Sequence, residues 1–141
     1  MASGEAGGAG RAVTMRWRER LVFEAGAPGR PPIVVDGDSA VATSPVAMLL
    51  VAAATCTASD VVLILEKQRV KLRTLEATVK GTRREAQPRR YTAIHFLFTV
   101  AGEGADEVKA RRAIDLSLET YCSVVASLAP DIRVTYDVQV R

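Results

Sequence analysis

The chain has 141 residues and carries 19 lysines and arginines against 16 acidic residues, for a formal net charge of +3. This length predicts one domain with a core large enough to fold without disulfides or metals as staples. The mild, dispersed charge and a set of only one tryptophan, three tyrosines and three phenylalanines argue against a nucleic-acid partner. With two cysteines and one histidine, neither a disulfide scaffold nor a zinc site is expected. The sequence therefore predicts no metal and no cofactor.

The first residues differ in composition from the rest of the chain. Residues 1–12 are rich in glycine and alanine and bury too little side chain to offset the entropy of ordering, so they predict a disordered tail. Residues 13–141 are expected to form the single domain. No apolar leader segment follows Met1, which predicts a cytoplasmic protein.

Two strands are predicted before the first helix. Apolar residues alternate with polar ones from Val13 to Phe23, a strand pattern with a possible break near Glu19. A second strand is predicted over residues 31–36, and the two prolines at its start indicate that it lies at the edge of a sheet. Turn residues follow each strand.

A long central helix is predicted from Pro45 to Lys67. Ser44 is suited to cap its first turn, and no glycine or further proline interrupts the segment. The segment is apolar nearly all round, so other elements are expected to bury it and to place Cys56 inside a core. A membrane span is the competing interpretation, but Asp60 and several small residues dilute the run, and no membrane is predicted.

Two strands are predicted to form a hairpin after this helix. The first alternates from Leu75 and ends at Gly81, a charged connection covers residues 82–90, and the second runs from Tyr91 to Val100. Residues 101–104 have the composition of a turn.

Helices and a last strand complete the predicted order β-β-α-β-β-α-α-β. Asp106 and Glu107 suit the positive end of a helix, and the apolar pattern after them is amphipathic. The helical register is expected to break around residues 121–123, with a short helix before Pro130. Residues 132–140 alternate as a strand.

The residues alone leave the role of the cysteines open. Free cysteine is among the most buried residue types, so Cys56 and Cys122 are first interpreted as small core residues. A reactive thiolate would need a nearby cation or a helix N-terminus, and Asp60, one turn beyond Cys56, works against it. His95 is interpreted as a partly exposed sheet residue.

Several motifs resemble the OsmC/Ohr family of thiol peroxidases. The resemblance covers about residues 13–141 and is carried by Ser44-Pro45, Leu49-Leu50, the segment 52–62 around Cys56, Pro88-Arg89-Arg90-Tyr91-Thr92, Ile94-His95, Leu116-Ser117-Leu118-Glu119 and Tyr121-Cys122-Ser123-Val124. It implies an α+β fold and an intertwined homodimer in which antiparallel sheets wrap two long central helices, with active sites at the subunit interface.

The resemblance also implies a chemistry. Cys56 would be the peroxidatic residue, oxidised to a sulfenic acid by an organic hydroperoxide, and Cys122 the resolving residue that condenses with it to a disulfide. An unidentified dithiol would then reduce the disulfide.

One departure from the family weakens this expectation. The family carries a glutamate in the first turn of the central helix, which fixes an arginine beside the reactive thiol, whereas Val46 and Ala47 stand here. The candidate arginines of the N-terminal strands are Arg16, Arg18, Arg20 and Arg30. Weak peroxidase activity is expected, and the alternative is a non-catalytic dimer that binds a lipid or another apolar small molecule.

Overall fold

The computed structural model describes residues 10–141 and confirms the predicted order of elements, with the first strand split in two. The strands are β1 (Thr14–Glu19), β2 (Val22–Gly26), β3 (Ile33–Asp36), β4 (Lys71–Arg83), β5 (Tyr91–Glu103) and β6 (Arg133–Val140). The helices are α1 (Pro45–Lys67), α2 (Glu107–Leu116) and α3 (Ser123–Ala126), with a π-helical turn at Ser117–Tyr121. Of the predicted tail, residues 1–9 lie outside the described residues.

The chain divides into two compact units, the first ending at Met48 and the second spanning Leu49–Arg141. In the first unit, β1, β2 and β3 form an antiparallel sheet in that order. The predicted break near Glu19 is confirmed: Arg20 has a positive φ of 47°, and its carbonyl accepts a hydrogen bond from the Trp17 indole at 2.8 Å.

Helix α1 begins and ends where the sequence predicts. The Ser44 hydroxyl accepts a hydrogen bond from the Ala47 amide at 3.2 Å, which satisfies one of the free donors of the first turn. Within this chain, other elements bury only one side of the helix. Its fully buried residues form one stripe, spaced by four, of Ala53, Thr57, Val61 and Leu65. By length and composition, α1 is long and apolar enough to cross a membrane, a property that core helices of soluble proteins share.

The second unit contains a three-stranded sheet in the order β4-β5-β6. The predicted antiparallel hairpin of β4 and β5 is confirmed, but both strands are longer than expected. Strand β5 continues through the predicted turn because Gly102 has no side chain: a Cβ there would lie 2.9 Å from Leu72 Cα on β4. Strand β6 pairs parallel to β5, unlike the antiparallel pairing expected, since the intervening helices carry the chain back across the sheet.

The core of the second unit lies on one face of this sheet. Ile94, Phe96, Phe98 and Val100 alternate inward along β5 and are fully buried. The rings of Phe96 and Phe98 stack with centroids 5.6 Å apart. The buried stripe of α1 and the alanine-rich side of α2 belong to the same cluster, so the core fixes α1 and the segment after α2 in one unit.

The predicted helix start and the predicted register break are both present. The Asp106 carboxylate caps α2 by accepting a hydrogen bond from the Lys109 amide at 2.8 Å. After Leu116 the helix widens into the π-helical turn, and Cys122 then leaves helical geometry with φ −73° and ψ 104°. The chain therefore restarts at α3 with Cys122 as its N-cap residue.

Candidate functional site

Cys56 lies in the middle of α1, beside the buried stripe rather than within it. Its side chain is a free thiol of intermediate exposure, so the prediction that it lies inside a core is only partly met. The next residue, Thr57, is fully buried and faces the core. Cys56 is therefore partly exposed to solvent, whereas its neighbour Thr57 is not.

Cys122 occupies the junction between the π-helical turn and α3. It is a free thiol and only 3% exposed. Its amide donates to the Ser117 carbonyl at 2.8 Å, which closes the π-helical turn. Its sulfur accepts a hydrogen bond from the Val125 amide at 3.4 Å, and this contact caps α3. The widened turn thus directs the Cys122 side chain inward.

The structure brings the two cysteines together. Cys122 Sγ accepts a hydrogen bond at 3.4 Å from the hydroxyl of Thr57, the residue that follows Cys56 on α1. Burial raises the pKa of Cys122, and the neighbouring Cys56 raises it further, while hydrogen bonds from Thr57 and Val125 lower it. A partly exposed thiol and a buried thiol with a raised pKa therefore lie near each other.

Two polar residues that sequence reasoning did not assign to the site hold the Cys122 segment against α1. The Thr57 hydroxyl donates to Cys122 Sγ at 3.4 Å. One turn further along α1, the Asp60 carboxylate accepts a hydrogen bond from the buried Ser117 hydroxyl at 2.7 Å. Thr57 could have been found from the sequence, because it is the one polar residue among the buried positions of α1 that repeat every four residues.

The four candidates for an activating arginine lie in the first unit. No acidic residue stands in the first turn of α1, as the sequence showed. Arg18 pairs with Glu24 at 3.0 Å, and Arg20 pairs with Asp38 at 3.1 Å. Arg16 and Arg30 line a cleft of about 170 Å³ together with Glu24. All four arginines lie in the first unit, whereas Cys56 and Cys122 lie in the second.

The remaining titratable candidate, His95, lies on the other face of the sheet. Its Nδ1 contacts the Thr135 hydroxyl at 2.7 Å, and its Nε2 lies 3.2 Å from the Asp137 carboxylate. Within residues 10–141, no group of three or more histidine, cysteine or acidic side chains is placed to hold a metal ion. His95 therefore belongs to a polar contact between β5 and β6.

A cleft of about 420 Å³ opens between the second half of α1 and the α2 segment, and it includes Asp60, one turn beyond Cys56, and Tyr121, the residue before Cys122. It is lined by Asp60, Leu63, Ile64, Lys67, Gln68, Arg112, Leu116 and Tyr121. Its wall is mainly apolar, with Lys67 and Arg112 as its cations. Such a cleft has the size and lining of a small-molecule site.

Comparison with known proteins identifies the family of this chain. The family model described as "OsmC-like protein" matches residues 36–137. Protein YhfA of Escherichia coli is 38% identical over 127 residues, which cover 89% of this chain and 95% of YhfA.

Solved structures share the fold at lower identity. The OsmC-like protein of Mycoplasma pneumoniae is 17% identical, with a TM-score of 0.80 over 94% of this chain and 97% of that one. The organic hydroperoxide resistance protein OhrB of Bacillus subtilis is 14% identical, with a TM-score of 0.61 over 93% of this chain and 98% of that one. The chain belongs to the OsmC-like protein family.

Proposed function

We propose that this protein is a thiol peroxidase that reduces organic hydroperoxides, with Cys56 as the peroxidatic and Cys122 as the resolving residue. The observation that carries the proposal is the proximity of a partly exposed Cys56 thiol to a buried Cys122 thiol, whose sulfur accepts a hydrogen bond from Thr57, the residue after Cys56. A peroxide can reach the first thiol, and the second is held ready to react with its product. The roles implied by the family motifs match this difference in exposure.

The chemistry balances with these two residues and an external dithiol. The Cys56 thiolate attacks the distal oxygen of the hydroperoxide, the O–O bond breaks and Cys56 becomes a sulfenic acid, while the departing alkoxide takes up the proton released by Cys56 and leaves as the alcohol. Cys122 then attacks the sulfenic sulfur, which forms the disulfide and releases water. A dithiol supplies two electrons to restore both thiols. No metal or cofactor takes part in this scheme.

An organic peroxide is the expected substrate because the surroundings of the pair are apolar. The cleft that begins at Asp60, one turn along α1 from Cys56, is bounded by Leu63, Ile64 and Leu116. An apolar wall binds the carbon part of an organic hydroperoxide and gives hydrogen peroxide no comparable contact. The name of the Bacillus subtilis neighbour, an organic hydroperoxide resistance protein, supports the same substrate class.

The direct test is a stoichiometric dose of cumene hydroperoxide given to the reduced protein. Mass spectrometry of non-reduced peptides is expected to find the Cys56–Cys122 disulfide, and an equivalent of alcohol is expected to form. Cys56→Ser abolishes alcohol formation in this scheme. If both cysteines remain free thiols after this treatment, the protein is not a peroxidase that uses this pair.

The second candidate function is a non-catalytic dimer that binds an apolar small molecule or lipid. One observation favours it: the first turn of α1 lacks the glutamate that the family resemblance implies. Iodoacetamide at neutral pH separates the two functions. Rapid, selective alkylation of Cys56 supports the enzyme, and inert thiols together with retention of an added apolar ligand support the binder.

A homodimer is part of the proposal and rests on exposed apolar side chains. In the first unit, Met15 and Trp17 of β1 are exposed, Trp17 by 63%. On α1, Leu63 is 57% exposed. Apolar side chains of this size that remain open to water mark an interaction surface, and a second copy of the chain would cover them.

Sedimentation velocity tests the dimer. The native chain is expected to sediment as a dimer, and Leu63→Glu is expected to shift it toward monomer because a charge would be buried in the interface. Glu66→Lys, which changes an exposed charge on the same helix, is the matched control. A stable folded monomer at micromolar concentration would contradict the dimer. The cytoplasmic location, with neither membrane nor nucleic-acid partner, stays a prediction.

A further inference from the structure

We propose that Thr57 is a positioning residue for the closing of the Cys56–Cys122 disulfide, an inference that rests on the peroxidase function proposed above. Its hydroxyl is aimed at the sulfur of Cys122, 65 residues away in the chain, at 3.4 Å. Both side chains are buried, Thr57 completely. Thr57 thereby fixes the resolving thiol against the helix that carries the peroxidatic one.

The direction of the Thr57 hydroxyl is unusual for its own helix. Thr55 donates to the Val51 carbonyl at 2.9 Å, and Ser59 donates to the Thr55 carbonyl at 2.8 Å, as hydroxyl groups within helices commonly do. Thr57 has no such bond to a carbonyl one turn earlier and donates to Cys122 instead. A hydroxyl with no other hydrogen bond within the described residues is thus committed to the thiol.

The closing step places negative charge on the sulfur that this hydroxyl faces. Cys122 Sγ attacks the sulfenic sulfur of Cys56, so that an S–S bond forms and the S–O bond breaks. The departing hydroxide takes up the proton released by Cys122 and leaves as water. During the attack, Cys122 Sγ carries thiolate charge, which the Thr57 hydroxyl and the Val125 amide stabilise from two sides.

These two donors oppose the other influences on the same thiol. Burial raises the pKa of Cys122, and so does Cys56, the titratable group that faces it from α1. The nearest carboxylate along α1, that of Asp60, is bonded to Ser117. Without Thr57, the remaining donor would be the Val125 amide, and the thiolate needed for closing would be rarer at neutral pH.

The test measures the closing step by itself. Reduced protein is mixed with one equivalent of cumene hydroperoxide, and mass spectrometry follows the Cys56 sulfenic acid, trapped with dimedone, and the disulfide in each variant. Thr57→Val, which removes the hydroxyl at nearly constant volume, is expected to slow disulfide closure by about tenfold, the effect of losing one hydrogen bond to a charged group. Thr57→Ser is expected to restore the native rate.

A second readout separates positioning from a general effect on the fold. In a Cys56→Ser background, the pH at which Cys122 is half alkylated is expected to rise in Thr57→Val and to return in Thr57→Ser. Thr55→Val removes a hydroxyl bonded within its own helix and is the matched control for both readouts. If Thr57→Val does not fold by circular dichroism, Thr57→Ala removes the same hydroxyl without added bulk and takes its place.

The outcomes distinguish this inference from the function on which it rests. Sulfenic acid that forms normally but closes to the disulfide at the native rate in Thr57→Val, with the native pH profile of alkylation, overturns the role of Thr57 alone. A native protein in which no Cys56 sulfenic acid forms overturns the peroxidase function and this inference with it.

Discussion

The Asp60 carboxylate accepts a hydrogen bond from the buried Ser117 hydroxyl at 2.7 Å. This bond fixes the first residue of the π-helical turn to α1, and the Ser117 carbonyl accepts the Cys122 amide at the end of the same turn. A π-helical turn inside a helix is rare and commonly accompanies a functional site. Asp60 therefore holds the segment that presents Cys122.

Replacement of Asp60 is expected to loosen this turn. Asp60→Ala leaves the buried Ser117 hydroxyl without its acceptor, at a cost of about 1–3 kcal/mol in the free energy of unfolding. Asp60→Asn keeps an acceptor oxygen and is expected to lose much less. Urea unfolding of both variants checks the difference, and equal stability of Asp60→Ala and the native protein would show that the bond contributes nothing.

The close approach of the Tyr91 ring to Gly81 predicts that a side chain added at Gly81 will destabilise the protein. A Cβ at Gly81 would lie 2.6 Å from Tyr91 Cδ1 and 3.1 Å from Leu50 Cδ2, where the tyrosine ring is buried. Gly81→Ala is thus expected to destabilise the protein by about 1–3 kcal/mol through overpacking. Gly10→Ala, where nothing lies within 4 Å, is the control for thermal unfolding. A native melting temperature for Gly81→Ala would contradict the packing argument.

Local signals were sufficient to predict most elements of the fold. Ser44 and Pro45 define the start of α1, and Asp106 defines that of α2, because a cap depends on residues within a few positions of it. The aromatic and branched residues of the segment 91–100 predicted the strand that is observed as β5. These features depend on neighbours in sequence, and the structure confirms them.

Features that depend on distant partners could not be predicted in the same way. Gly102 had the composition of a turn, but it continues β5 because Leu72 of the paired strand approaches it closely. The Thr57–Cys122 contact joins residues 65 positions apart, and only the packed core brings them together. The cysteine roles came from the family resemblance, since local sequence gives no sign that the two thiols meet.

Asp36 predicts how stability depends on pH. Hydrogen bonds from the backbone amides of Val41 and Asp38, together with that of Ala40, lower the pKa of its carboxyl group. A carboxyl group whose pKa is lower in the folded state contributes stability above its unfolded pKa, about 3.9 for aspartate, and loses it as pH falls through the folded value.

The native protein is therefore expected to lose stability on acidification more steeply than Asp36→Asn, whose amide does not titrate. Asp36→Asn is also expected to be less stable at neutral pH, because its amide nitrogen cannot accept the backbone hydrogen bonds made by the oxygen it replaces. Urea unfolding midpoints between about pH 7 and pH 3 measure both effects. Parallel pH profiles of the two proteins would refute this role of Asp36.

The absence of the glutamate that the family resemblance implies predicts that restoring it will raise the peroxidase activity. Val46→Glu supplies a carboxylate in the first turn of α1, where none is present. The family resemblance implies that such a carboxylate holds a guanidinium at the reactive thiol, which lowers the pKa of that thiol, and each unit gives about tenfold more thiolate at neutral pH. Stopped-flow reduction of cumene hydroperoxide is expected to speed up in Val46→Glu and not in the uncharged Val46→Gln. Equal rates in the two variants would contradict a role for the carboxylate.

The two cysteines are expected to behave differently when each is replaced. Cys122→Ser removes the thiol that we propose as the resolving residue, so Cys56 is expected to accumulate as a sulfenic acid that dimedone traps, because no second thiol is left to close the disulfide. Cys56→Ser is expected to leave Cys122 unoxidised, since Cys122 is only 3% exposed and its pKa is raised by burial.

In the native protein, closure of the disulfide is expected to accelerate as pH rises, because a raised pKa leaves Cys122 mostly protonated at neutral pH and each unit of pH adds about tenfold to its thiolate fraction. Peptide mass spectrometry at several pH values measures all three, and a faster dimedone adduct on Cys122 than on Cys56 would reverse the assigned roles.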